Sequence, residues 1–472
     1  MDSFREHLEH PAGRGVSPPG AYDGSAGGAA CGDLIRISLR VEGERVTAAG
    51  FDASGCGAAV AAGSAAVALA EDAHVLDAAR IGPHEVAGEL GGLSPGKFHA
   101  ADLAADALHR ALGAAAREGA ALPADPGRTL VAMSGGVDSA VAALLVGEGA
   151  AAVTLELWAD PANDAEASCC SAHAVRLARS VAHRMGLPHF TLDLREEFRA
   201  GVVDPFLAGH AAGVTPNPCV GCNGHVRLDA MVAFADRLGA PALATGHYAR
   251  FAGDGLLRAA ADPAKDQTYM LAAVARATLA RLRFPLGELT KPQVRALAAD
   301  AGLPVASKPE SQDLCFLAGT GKAAFLARHG DLPERPGDLV DTGGRVLGRH
   351  RGHHHYTVGQ RRGLGVAAAE PLYVLATDAG ANRVTVGPRS ALATRAVAVR
   401  GARLHRAGSE VDAVRLRYHS RAIACRVAGE VGPGTYPRLE LELDDAVDGA
   451  APGQTACLLR GDVVVGYGTI GA

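Results

Sequence analysis

Three hydropathy regimes succeed one another along the 472 residues. The first runs to about residue 118. Leu34-Ile35-Arg36-Ile37-Ser38-Leu39-Arg40-Val41 alternates apolar and polar side chains, the two-residue period of a strand with one face buried. A Gly55-Cys56-Gly57 turn follows, then Ala-rich helical patterns at 58–72 and 100–117. The segment from Glu118, EGAALPADPG, lacks periodicity and reads as a linker over 119–127. The second regime opens with a short apolar strand, Thr129-Leu130-Val131-Ala132-Met133, then a glycine-rich turn and a helix over 137–147. Apolar strands at 151–157 and 241–245 alternate with helical stretches at 171–186 and 225–238. That rhythm predicts a parallel sheet wrapped by helices. From about residue 335 short strands and frequent glycines predict an all-β region of one or two small barrels. The chain therefore reads as multidomain: α+β over 1–118, α/β over 128–334, a small β domain over 335–400 and a β-barrel over 401–472.

Composition adds little to this fold but narrows the setting. Hydrophobic content of 48% with 21% charged residues is that of a globular chain. No apolar run approaches the ~20 residues that span a bilayer, and the start, MDSFREHLEHPAGRG, has no apolar core of a secretory signal. The cytoplasm is the expected compartment, and no membrane partner is expected. Lys is scarce and Arg carries the positive charge. Between Arg345 and Arg426 there are 15 Arg, no Lys and four acids, a balance of +11 that leaves −16 for the remainder of a chain with net charge −5. Such a patch is either a polyanion-binding surface or a solvated basic face. Nine cysteines in a reducing compartment point to catalysis or metal binding before structural bridges. Cys425 and Cys457 lie in strand-like apolar runs and read as inert core thiols. His353-His354-His355 has no acidic neighbour in sequence and reads as a loop or an RNA-facing surface.

The strongest chemical signal is Ser134-Gly135-Gly136-Val137-Asp138-Ser139, directly after a strand and directly before a helix. Glycines let the backbone approach a phosphate, and a helix start offers unpaired N–H groups and a positive dipole end. The loop lacks the lysine of the common GxxxxGK[ST] nucleotide loop. A strand–SGGxDS–helix unit resembles the N-type ATP pyrophosphatases, which split ATP into AMP and pyrophosphate and use the AMP to make an oxygen a leaving group. Further stretches narrow the resemblance: Thr215-Pro216-Asn217-Pro218-Cys219-Val220-Gly221-Cys222-Asn223, Gly246-His247-Tyr248-Ala249-Arg250, Lys265-Asp266-Gln267-Thr268-Tyr269 and Ser311-Gln312-Asp313-Leu314-Cys315-Phe316. With the run from Tyr356 to Gly365 and Arg415-Leu416-Arg417-Tyr418, these closely resemble the tRNA-specific 2-thiouridylases from about residue 128 onward.

The resemblance implies an adenine nucleotide alpha-hydrolase-like, Rossmann-like catalytic domain. It also implies a tRNA-uridine 2-sulfurtransferase using ATP with Mg2+. Cys222 would be the nucleophile and Cys315 the persulfide carrier, with a Cys222–Cys315 disulfide closing the cycle. ATP would be held by Ala132, Met133, Ser134, Gly135, Gly136, Val137, Asp138, Ser139, Leu155 and Gly246. Asn217, Pro218 and Cys219 would face the target base; His247, Lys265, Asp266, Gln267, Arg417, Tyr418 and Gln454 would contact tRNA. The implied partners are tRNA rather than DNA, and a cysteine desulfurase or another sulfur donor. Cys219 stands where some members carry Asp, and Arg227-Leu228 where Lys-Phe is common. Cys219, Cys222 and Cys315 would also suit an iron–sulfur cluster, as in related tRNA thiolases.

The first regime resembles a different family. Cys31-Gly32-Asp33, Gly55-Cys56-Gly57-Ala58-Ala59 and Pro95-Gly96-Lys97-Phe98-His99-Ala100 are similar to the landmarks of NifU- and IscU-type iron–sulfur scaffolds. Cys31, Asp33, Cys56 and His99 are the implied ligands of zinc or a cluster. Ala100 stands where the scaffolds have a third cysteine. The block reads either as a modified scaffold or sulfur relay or as a docking domain. Two other readings of the whole chain stay open: a non-enzymatic iron–sulfur or sulfur carrier, and an ATP pyrophosphatase acting on a small metabolite.

Overall fold

The computed structural model describes residues 3–27, 32–160, 172–309 and 314–471, and the chain divides into two compact units. The first comprises residues 1–195, 229–247 and 281–316. It begins with three antiparallel strands in sequence order, β1 (Tyr22–Gly27), β2 (Leu34–Glu42) and β3 (Arg45–Ser54). In β2 the alternation behaves as its pattern demands: Ile35, Ile37 and Leu39 are fully buried while Leu34 is exposed. Helices α1 (Gly57–Ala70) and α2 (Phe98–Gly119) cover this sheet with alanine-rich faces.

A second sheet of five parallel strands follows. Its order is the short strand Leu282–Arg283, then β7 (Ala242–Thr245), β4 (Thr129–Ala132), β5 (Ala150–Glu156) and β6 (His189–Asp193). All seven β5 residues are buried, as expected for a strand covered on both faces. Helices α3 (Val137–Val146) and α4 (Ala172–Arg184) pack against it. The α/β prediction over 128–334 thus places its sheet here.

The two sheets of this unit share a seam. Helix α2 lies along β6, so close that a Cβ on Gly113 would fall 1.8 Å from the Thr191 carbonyl oxygen. Only glycine permits that approach. Buried Asp106 on α2 accepts from Arg176 at 2.5 Å and from buried Arg179 at 2.7 Å. Arg110 reaches Glu156 at the end of β5 at 2.8 Å and the Ser25 carbonyl of β1 at 2.7 Å. His109 is buried with its ring nitrogens 2.8 Å and 2.9 Å from the Ile81 and His189 carbonyls, and burial pushes its pKa far below the ordinary value. A neutral ring donates to only one of those carbonyls.

The second unit comprises residues 196–228, 248–280 and 317–472. Strands β8 (Gly337–Val340), β9 (Val346–His350), β10 (Tyr373–Asp378) and β11 (Arg383–Gly387) form a sheet of order β9-β8-β11-β10 around Leu339, Val374, Val384 and Val386. Strands β12 (Ala393–Leu404), β13 (Ala413–Arg415), β14 (Ile423–Val427), β15 (Gly434–Asp448), β16 (Thr455–Arg460) and β17 (Val463–Ile470) close into a six-stranded barrel, since β17 pairs back onto β12. Closure removes the exposed edges of the barrel strands. Cys425 lies in its core, and Cys457, between the core residues Ala456 and Leu458, is buried on the opposite face of β16; burial pushes both thiols up to about 12. A hairpin of Arg250–Phe251 and Leu257–Arg258 adds to β17, an attachment across two hundred residues that no local pattern announces.

The histidine run needs correction. It forms one 3-10 turn rather than an open loop; His354 is 3% exposed and withdrawn from any surface, while His353 and His355 are half-buried. Burial lowers its pKa to about 4. His353 instead reaches the Ala211 carbonyl at 3.0 Å.

Candidate functional site

The phosphate-loop sequence lies at the β4–α3 junction. The loop is held from within. Ser139 donates its hydroxyl to the Gly136 carbonyl at 3.0 Å, so its oxygen accepts from the Ser134 N–H at 3.1 Å and faces the Ser134 hydroxyl at 3.2 Å. Gly136 is the N-cap of α3, leaving the first N–H groups of that helix at the turn. From the neighbouring strand Gly246 approaches so closely that a Cβ there would lie 2.7 Å from the Ser139 nitrogen. Only glycine lets that backbone pack so tightly against the first turn of α3. Met133 donates to Val153 of β5 at 2.8 Å, and Leu155 is buried two residues farther along that strand. His247 follows Gly246, its Nδ1 2.9 Å from the Thr245 hydroxyl.

Two lysines that local sequence patterns do not single out meet this loop. Helix α5 (Lys291–Asp300) starts with a Thr290–Gln293 capping box. Its first residue, buried Lys291, bonds both oxygens of Asp138, at 2.7 and 2.8 Å. One turn on, Arg295 donates to the Ala306 carbonyl at 2.7 Å and the Lys308 carbonyl at 3.2 Å. The Lys308 ammonium then donates to the Gly135 carbonyl at 2.9 Å. The signal that existed was scarcity: the chain has five lysines, and two of them are these.

Cys315, half-buried, belongs to this first unit. In the second unit, Asn217 caps the short helix Pro218–Cys222 by accepting from the Val220 N–H. Cys219 is half-buried and Cys222 buried. Gln454 donates to the Thr215 carbonyl at 2.7 Å, tying this turn to the barrel. Lys265 and Gln267 are half-buried, and Gln267 accepts from the Tyr248 N–H at 2.9 Å. Asp266 is buried, and its carboxylate is taken by Arg415 at 2.5 Å and by the Thr268 hydroxyl. Its own contacts make it a brace rather than a surface group. Arg417 is exposed, and the ring of the neighbouring Tyr418 sits 6.1 Å from that of Tyr269.

The scaffold-like landmarks converge as well. Cys56 caps α1; its N–H donates to Asp33 at 2.8 Å and its thiol lies 3.2 Å from the other Asp33 oxygen. Those contacts, the Cys56 N–H first among them, hold the Asp33 carboxyl below the usual carboxylate range despite its burial. His99 Nδ1 lies 3.1 Å from the Gly96 carbonyl oxygen, and Nε2 lies 3.3 Å from an Asp33 carboxylate oxygen. One donor atom from each of Asp33, Cys56 and His99 lies within 4.8 Å of the others, which fits a metal ion with mixed sulfur, nitrogen and oxygen ligands. Cys31 lies outside the described residues. Ala100 is fully buried and offers no donor, so the set is one thiolate short of the scaffold pattern.

Comparison with known proteins divides the chain in the same order. A family model described as NifU-like N terminal domain matches residues 1–118, and one described as tRNA methyl transferase HUP domain matches 127–319. A tRNA methyl transferase PRC-barrel domain matches 323–388 and an aminomethyltransferase beta-barrel domain 402–470. The curated relatives carry a sulfur-transfer name. The tRNA-specific 2-thiouridylase MnmA of Xanthobacter autotrophicus is 50% identical over 58% of this chain and 72% of its own. That of Roseiflexus castenholzii is 41% identical over 73% and 99%. A scaffold-like domain, an ATP-using HUP domain and barrel domains together define an enzyme of the tRNA sulfurtransferase class.

The particular arrangement is matched end to end. The bifunctional protein NifU/MnmA of Rubrobacter xylanophilus is 44% identical over 98% of this chain and 97% of its own, and the chain belongs to that NifU/MnmA family. Among the described residues no helix is long and apolar enough to cross a membrane.

Proposed function

We propose that this protein makes 2-thiouridine in tRNA in three steps. The wobble uridine 2-oxygen attacks the α-phosphorus of ATP; the bond to the β-phosphate breaks, and pyrophosphate leaves. A terminal sulfur held as a persulfide on Cys315 then attacks C2, and AMP departs with the former 2-oxygen. Cys222 thiolate attacks the Cys315 sulfur, releasing the thiocarbonyl and leaving a Cys222–Cys315 disulfide that an external dithiol reduces. The carrying observation is the 44% identity over nearly the whole chain, joined to an intact phosphate loop.

The residues divide the labour. Ser134 to Ser139, with Gly246 and Leu155, hold the nucleotide, and Mg2+ would neutralise its phosphates. Asn217, Pro218 and Cys219 frame the base, and His247, Lys265, Gln267, Arg417, Tyr418 and Gln454 contact the tRNA. The exposed arginines of the last third supply sequence-independent phosphate contacts. A uridine in an anticodon loop must be splayed out of its stack to reach such a pocket. Asp33, Cys56 and His99, with Cys31, would hold zinc or an iron–sulfur centre that receives or relays sulfur from a cysteine desulfurase. The cytoplasm is the compartment that holds both tRNA and reducing dithiol.

The test is the nucleoside content of tRNA. Purified protein given ATP, a sulfur donor and unthiolated tRNA should form AMP, pyrophosphate and 2-thiouridine in equal amounts. Unchanged uridine with no AMP would defeat the reading.

A further inference from the structure

We infer that the β domains of the second unit clamp the chain entering the Cys222 turn, with Thr215, Thr357 and Thr377 as positioning residues for sulfur release. The inference deepens the reading above and rests on Cys222 being the nucleophile that frees the product. In that step the Cys222 thiolate attacks Cys315 Sγ, the bond to the sulfur on C2 breaks, and its electron pair stays with the thiocarbonyl. Such a displacement needs its atoms in line, and a misplacement of about 1 Å lowers such rates by up to about 100-fold. Cys222 ends a five-residue helix, Pro218–Cys222, too brief to hold itself in place. The chain that enters it must be held from elsewhere.

Three carbonyls of that entering chain are taken by side chains of the β domains. His353 Nε2 lies 3.0 Å from the Ala211 carbonyl oxygen, and the Thr377 hydroxyl on β10 donates to the Gly213 carbonyl at 2.6 Å. Gln454 donates to the Thr215 carbonyl at 2.7 Å. Thr215 is held at two further points: its N–H donates to the Pro452 carbonyl at 2.9 Å, and its hydroxyl to that of Thr357 at 3.0 Å. Gly453 packs so closely that a Cβ there would lie 3.0 Å from the Thr215 carbonyl oxygen. Both β domains take part, since Thr377 lies on the open sheet while Pro452, Gly453 and Gln454 join β15 to β16 of the barrel. Beyond Thr215, Pro216 and Pro218 fix the backbone at two of the next three positions, and Asn217 caps the helix. A shift at Thr215 therefore reaches Cys222 with little slack.

The test is a single turnover by the full chain, preloaded with persulfide by a cysteine desulfurase and free cysteine. ATP and unthiolated tRNA are then added without reductant. Three products are followed: pyrophosphate, free 2-thiouridine, and tRNA disulfide-linked to protein on a non-reducing denaturing gel. Thr215→Val combined with Thr377→Val keeps the side-chain shapes and removes both hydroxyl contacts. Pyrophosphate should form at the wild-type rate in this variant. Release of 2-thiouridine should slow by roughly ten- to hundredfold, the range for two lost hydrogen bonds, while linked tRNA accumulates. Thr215→Ser with Thr377→Ser restores the hydroxyls and should return release to the wild-type rate. Wild-type release in the valine variant, or pyrophosphate and 2-thiouridine slowed by the same factor, overturns the inference. Cys222→Ser is the reference and should trap tRNA in the linked form; its failure to do so overturns the parent reading instead.

Discussion

Gly55-Cys56-Gly57 and Ser134-Gly135-Gly136 each follow a strand and each start an alanine-rich helix, yet the two turns face opposite kinds of ligand. At the first, the Cys56 N–H is already taken by the Asp33 carboxylate, with His99 on its other side. The protein has supplied its own anion, and the donor set of the cluster fits a cation. At the second, the nearby carboxylate, Asp138, is turned to Lys291, and a further ammonium lies on the loop. There the charges nearest the turn include two ammonium groups. A glycine turn before a helix is therefore no anion site by itself; the charges that already occupy its surroundings decide what it takes.

Substitutions that touch one turn and spare the other sharpen the contrast. The largest effect is expected from Gly246→Val. Its Cβ meets the Ser139 backbone, which cannot give way as a side-chain end would. ATP-dependent turnover should fall by about 100-fold or more, about 2.7 kcal/mol on the barrier scale, while the metal content of the protein stays unchanged. Turnover kinetics beside metal analysis checks both halves. The next effect is the converse. Asp33→Ala should weaken zinc binding by roughly ten- to hundredfold, the usual cost of losing a ligand or its orienting partner, with ATP affinity untouched. Equal metal content in that variant would break the comparison at its first term.

The smallest effect concerns buried histidines, one at the seam of the first unit and two in the second unit. Burial lowers His183 there to about 4, and in the second unit His210 to about 3 and His405 to about 4. An unfolded chain takes up protons near pH 6.5 that these folded rings refuse. The stability they leave intact is thus fully present above pH 6.5 and is lost as pH falls toward 4. The melting temperature should drop by a few degrees between pH 7 and pH 5. A flat or rising curve would mean that the rings are charged in the fold.

Much of this could be read from the chain. The period-two run at Leu34–Val41 became β2, and the βα rhythm became the parallel sheet, because both are local consequences of which side chains face a core. The β-rich third resolved into one closed barrel and one open sheet, a distinction set by a single long-range pairing of β12 with β17. Lys291 and Lys308 were illegible for the same reason: they reach the loop from more than 150 residues away. Asp266 and His354 sit in stretches that look polar and exposed, yet tertiary contacts bury both. Periodicity records a neighbour on the same element; it holds no trace of one brought in by the fold.

The most direct measurement is a single-turnover reaction of Cys315→Ser with ATP and unthiolated tRNA, counting AMP, pyrophosphate and 2-thiouridine together. The account predicts that pyrophosphate still appears in its first turnover while no 2-thiouridine forms, since the phosphate loop is intact and the sulfur carrier is gone. Thiolated uridine made by that variant at the wild-type rate would contradict it.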